Sequence, residues 1–83
     1  MELVNRRHLK RHLIPGTWLR CERMPNMYCK LLAIDTIEKR YKVAVYKYWK
    51  NKDECKIQDV LSLSLAQLKR NWRLDQVMNV LYG

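Results

Sequence analysis

The chain has 83 residues with 17 Lys and Arg against 8 Asp and Glu, a net charge of +9. That length allows one domain with a short arm or tail, burying only about 60–65% of its unfolded surface. Apolar content of 48% is too high for a disordered chain, and no apolar run reaches the ~18–20 residues of a membrane span. Phe is absent, so Tyr and Trp supply the aromatic packing, each with a polar group that wants a partner or a wet edge. Three cysteines without a CxxC and without an export-type apolar leader predict reduced thiols in a cytoplasmic protein.

Residues 1–14 read as a basic N-terminal arm or short helix. Arg6, Arg7, His8, Lys10, Arg11 and His12 crowd together, and Leu3, Val4, Leu9 and Leu13 offer only a weak apolar stripe. Pro15-Gly16 punctuates the chain and opens the domain at 15–83. Thr17 to Glu22 alternates with period two and predicts a first strand, followed by a loop at Arg23 to Met27. Tyr28 to Thr36 predicts a second strand and Ile37 to Arg40 a hairpin tip. Tyr41 to Trp49 predicts a third strand, with β-branched Val43 and Val45 on the core row. Lys50 to Asp53 is a polar turn, and Glu54 to Val60 a fourth strand with Cys55, Ile57 and Asp59 on one face. Ser62 or Ser64 caps a helix to about Asn71. The apolar phase then slips, which predicts an extended segment from Trp72 to about Val77 and a helical turn or tail beyond it. Trp18 and Trp72 are expected in the core.

The chain is therefore expected to be mainly β: a single small barrel of four or five antiparallel strands, with a short helix before the last. This element order, from Gly16 to Val77, resembles the SH3-like barrel shared by SH3, Tudor and KOW-type domains. The resemblance implies a closed small barrel. Since such barrels bind nucleic acids, peptides or methylated side chains, it does not choose a function.

The functional expectation comes from the residues. Lysine and arginine neutralise phosphates, and aromatic rings stack on bases. In the third strand Lys42, Ala44, Tyr46 and Tyr48 share one face, while Tyr41, Val43, Val45, Lys47 and Trp49 share the core row, which Lys47 and Trp49 escape only near the strand end. The alternative for Tyr46 and Tyr48 is a second small cluster packed under the arm or tail, with the lysines a solvated face. The expected nucleic-acid contacts are Lys42, Tyr46 and Tyr48 on the strand, Lys39 and Arg40 at the hairpin tip, and Lys50 and Lys52 in the following turn. Arg6, Arg7, Lys10 and Arg11 add contacts from the arm. The partner is DNA or RNA, bound mainly through phosphate contacts with weak sequence preference. The alternative is an interaction module or inhibitor that occludes an acidic protein surface, with Trp49 or a Tyr as its hot spot.

Other chemistries are weaker. His8 and His12 at helical spacing with Cys21 and Cys29 would make a tetrahedral zinc set, but the cysteine spacing is wrong for a zinc knuckle, so no metal or other cofactor is expected. The acids are scattered and no Gly-rich phosphate loop exists, so the chain is not read as an enzyme. An aromatic cage of Trp18, Tyr28, Tyr46, Tyr48 and Trp49, completed by Asp35 or Glu54, would hold a cation, which the net positive charge opposes. A free strand edge from Trp49 to Val60 allows either a monomer or a homodimer.

Overall fold

The computed structural model describes residues 13–82. Five antiparallel strands form one sheet: β1 Trp18–Cys21, β2 Met27–Asp35, β3 Arg40–Trp49, β4 Glu54–Leu63 and β5 Trp72–Leu74. Two short helices, α1 Leu65–Asn71 and α2 Gln76–Tyr82, flank β5. The strand order is β4-β3-β2-β1-β5. The architecture is the expected mainly β one, but the sheet does not close into a barrel. β5 is only three residues long and pairs with β1 alone, so it never reaches β4 at the opposite edge.

Local chemistry places the turns. Thr17 N–H donates to the Ile14 carbonyl at 3.0 Å, and Pro15 and Gly16 sit between them. Gly16 takes φ +98° there, the left-handed backbone that a Pro-Gly turn demands. Its N–H then reaches the Leu31 carbonyl at 2.7 Å, tying the turn to β2. At the β2–β3 tip, Asp35 Oδ1 accepts from the N–H groups of Ile37 at 3.0 Å and Glu38 at 2.9 Å. Lys39 adopts φ +55°, and Arg40 already belongs to β3 instead of the tip.

The strand alternation is interrupted twice. Leu32 is an extra residue in β2, between the pairs Leu31–Val43 and Ala33–Lys42. Gln58 is an extra residue in β4, between Ile57–Tyr46 and Asp59–Val45. Such bulges bend a strand and reset its faces, so Cys55, Ile57 and Asp59 do not share one face as simple alternation predicts.

Ser64 caps α1 by a reciprocal box: its hydroxyl accepts from Gln67 N–H at 3.2 Å, and Gln67 Oε1 accepts from Ser64 N–H at 2.8 Å. The helix stops where Trp72 turns extended, at φ −121° and ψ 146°. Arg73 then satisfies the carbonyls of Lys69 at 2.9 Å and Trp72 at 2.8 Å, and pairs with Glu22. The extended segment ends at Leu74, earlier than expected. Buried Asp75 caps a new helix by accepting from Met78 N–H at 3.0 Å. From that helix Asn79 reaches back to β1: its amide accepts from Trp18 N–H and donates to the Trp18 carbonyl, both at 2.8 Å. A side-chain amide thus completes the ladder where β5 has run out.

The core lies on one face of the sheet. Leu19, Cys29, Leu31 and Val43 are fully covered there by Leu68 of α1, Trp72 of β5 and Leu13. Truncating a large buried aromatic removes both transfer energy and packing. Trp72→Ala should therefore destabilise the fold by about 3–5 kcal/mol, read from denaturant unfolding. Gly16→Ala meets no atom within 4 Å, so its cost is backbone strain alone. A loss of about 1–2 kcal/mol is expected in the same assay.

Candidate nucleic-acid interface

β3 is ten residues long, roughly 30 Å from end to end. The expected contact residues divide between its two ends. Lys39, Arg40 and Lys42 are exposed at the β2–β3 end. The Arg40 guanidinium is engaged there, donating to the Ser62 hydroxyl at 3.2 Å and the Ser62 carbonyl at 2.7 Å. Lys50 and Lys52 are exposed at the other end, in the β3–β4 turn. Arg6, Arg7, Lys10, Arg11 and the two histidines lie outside the described residues.

The middle of β3 is packed on both faces. Ala44 is as buried as the core valines, although it lies on the opposite face with Lys30 and Val60, its ladder partners. Trp18, the ladder partner of Lys30, occupies this second face and is buried with it. The Trp18 ring sits 5.1 Å from Tyr46 and 6.3 Å from Tyr82 of α2, and the Lys30 ammonium lies 5.7 Å from its centroid. Tyr46 is consequently half-buried beneath the C-terminal helix, so for Tyr46 the alternative of a second small cluster under the tail is the one the structure takes. The Trp18 indole N–H finds no acceptor among the described residues.

Beside this cluster is a recess of about 790 Å³, lined by Trp18, Tyr28, Tyr46 and Tyr48, by Asp53, and by α2. It gathers four of the five rings considered for an aromatic cage. Trp49 is not among them, and the acid is Asp53, not Asp35 or Glu54. Asp53 is already used: Tyr48 donates its hydroxyl to Asp53 Oδ1 at 2.7 Å, which holds the phenol pKa above its usual value.

Lys47 and Trp49 leave the core row near the end of the strand, as expected: Lys47 is half-buried and Trp49 exposed, because β3 runs past the core at its C-terminal end. Trp49 is 37% exposed. Lys47, two residues earlier, shares its face and places its ammonium 4.3 Å from the ring centroid. The turn brings in a second cation: Lys52 N–H donates to the Trp49 carbonyl at 3.1 Å, Asp53 takes φ +50°, and the Lys52 ammonium lies 6.0 Å from the same ring. One exposed indole with two ammonium groups, beside Lys50, is the densest basic aromatic constellation among the described residues. The signal for it was the i, i+2 spacing of Lys47 and Trp49 ahead of a Lys-rich turn.

Among the described residues no three His, Cys, Asp or Glu gather as a metal site, and no helix is long and apolar enough to cross a membrane. Comparison of the chain with protein-family models, with curated proteins and with solved structures finds no match. The class that the structure defines is a small mainly β domain with a single five-stranded antiparallel sheet.

The cysteines differ by burial. Cys29 is fully buried, and desolvation, aided by Cys21, pushes its thiol far above the usual range. Cys55 is exposed on β4, with its pKa raised by partial desolvation. A thiol reagent should modify Cys55 in the native protein and reach Cys29 only on unfolding, as mass spectrometry of timed labelling will read.

Proposed function

We propose that this protein is a small intracellular nucleic-acid-binding domain, of SH3-like architecture with an open sheet. It grips phosphates with lysines and stacks one base on Trp49. The observation that carries this reading is the Trp49 ring exposed at the β3–β4 turn between Lys47 and Lys52. An exposed cation–π contact contributes only about 0.5–1 kcal/mol. A base stacked on an aromatic side chain contributes about 1–3 kcal/mol. A stacked base exchanges both contacts for its own, and the displaced ammonium groups recover their loss on the adjoining phosphates of a single strand at the edge of the ring. Lys50 extends this phosphate track. The opposite end of β3, with Lys39 and Lys42, adds a second, weaker anion contact, and Arg6, Arg7, Lys10 and Arg11 add phosphate contacts from the arm.

Two substitutions separate the roles. Trp49→Ala should cost about 1–3 kcal/mol of single-strand affinity and leave the salt slope unchanged. Lys47→Glu with Lys52→Glu should weaken binding well over tenfold and flatten the slope by about two. For roughly five neutralised phosphates the wild-type slope of log affinity against log salt is about −4 to −5. Fluorescence anisotropy with single- and double-stranded DNA and RNA reads all three. Salt-independent binding would sink the proposal. Partner capture that survives nuclease would favour an acidic protein surface instead.

A further inference from the structure

Among the described residues β4 lies at one edge of the sheet and is paired with β3 alone. Its ten residues from Glu54 to Leu63 are exposed as far as Ser62. Three of them are large and apolar: Ile57, Val60 and Leu61 are 54%, 45% and 36% exposed. An edge strand offers backbone groups to another strand, and proteins commonly blunt such edges with proline, several lysines or a covering element. On β4 the Val60 N–H donates to Asp59 Oδ1 at 2.8 Å, the Gln58 amide donates to the Lys56 carbonyl at 3.4 Å and the Lys56 ammonium pairs with Glu54 at 3.3 Å, all exposed local contacts that a second strand would exchange for its own. β4 has no proline and one lysine, Lys56. Its charges also run against the rest of the chain. Glu54 and Asp59 against Lys56 leave the strand at net −1 within a chain of +9. The strand itself therefore adds no net positive charge to a contact between two copies.

The bulge at Gln58 determines how they would meet. Lys56 pairs with Lys47 and Asp59 with Val45. Lys47 and Val45 are two apart in β3, so Lys56 and Asp59 share a face although they are three apart in β4. In the same way Cys55, opposite Tyr48, and Val60, opposite Ala44, share the other face. A two-fold axis perpendicular to the sheet and passing through the bulge sets Lys56 of one copy opposite Asp59 of the second, and reciprocally. It sets Cys55 opposite Val60. All four pairs then lie on matching faces. In an unbulged strand, residues three or five apart point to opposite faces, and this register would be forbidden.

We infer that β4 is a self-association edge: two copies pair antiparallel through β4 about this axis, joining their sheets into one continuous sheet with reciprocal Lys56–Asp59 contacts. The interface is isologous and closes at the dimer. The two Trp49 turns sit at opposite ends of the joined strands.

Sedimentation velocity of the nuclease-treated full chain, across a concentration series, tests this. The wild type should move from the mass of one chain to that of two and no further. Asp59→Lys sets lysine against lysine on both sides of the axis and should weaken self-association at least about tenfold. The double exchange Lys56→Asp with Asp59→Lys restores opposite charges and should recover the dimer, with circular dichroism confirming the fold of each variant. A wild type that stays at one chain mass, an Asp59→Lys variant that dimerises as wild type does, or a double exchange that fails to recover overturns the inference. The assay contains no nucleic acid, so that failure is separate from failure of the binding proposal.

Discussion

The domain depends on the packing of Leu68 and Trp72 against one apolar row of the sheet. Leu68 is fully buried and Trp72 is 8% exposed. They stand four residues apart, one in the middle of a seven-residue helix and the other at the start of a strand. Because Trp72 turns extended where α1 ends, the helix covers Leu19, Cys29, Leu31 and Val43, and the next residues pair with β1. A single junction therefore supplies both the lid of the core and the last strand. An 83-residue chain has little else to bury. Burying a residue such as Leu68 contributes about 1.5–3 kcal/mol, so one such side chain is a large part of the net stability of a small domain.

That economy leaves the other face of the sheet to a smaller arrangement. Trp18, Tyr46 and Tyr82 meet there under α2, and Asn79 replaces a missing strand partner for Trp18. The packing of α2 is thin: none of its residues is buried, and Val77, Val80 and Leu81 are exposed. Its attachment rests on the Asn79 amide, the Asp75 cap and the Trp18–Tyr82 ring contact. Each such hydrogen bond contributes about 1 kcal/mol net, which places α2 among the first elements to open.

Charge is distributed along β3, not across it. The basic groups at its two ends are roughly 30 Å apart, several Debye lengths at physiological salt. They act on a polyanion as separate contacts, and the middle of the strand contributes packing. β4 runs alongside with the opposite bias in charge, net −1 from Glu54, Lys56 and Asp59, although Lys42 and Lys47 stand directly opposite its residues.

Much of this was legible in the residues. Val43 and Val45 on the core row, the Pro15-Gly16 turn, the Ser64 cap and the end of the helix at Asn71 all follow from local chemistry: period-two alternation, a glycine at positive φ, a hydroxyl with Gln67 three residues on. What local chemistry does not contain is the bulges at Leu32 and Gln58, the failure of β5 to reach β4, and the point along β3 where the core row is uncovered. Each depends on where a neighbouring strand stops. Trp49 and Lys47 occupy core-row positions by alternation, but a row is buried only where something covers it, and α1 and β5 cover only the Leu19-to-Val45 part of the sheet. The sequence by itself determined a basic, mainly β domain with aromatic lysine-rich chemistry in its third strand. Only the tertiary structure decided that this chemistry is exposed at the strand end and packed in its middle, because exposure belongs to the strand's neighbours and not to its own residues.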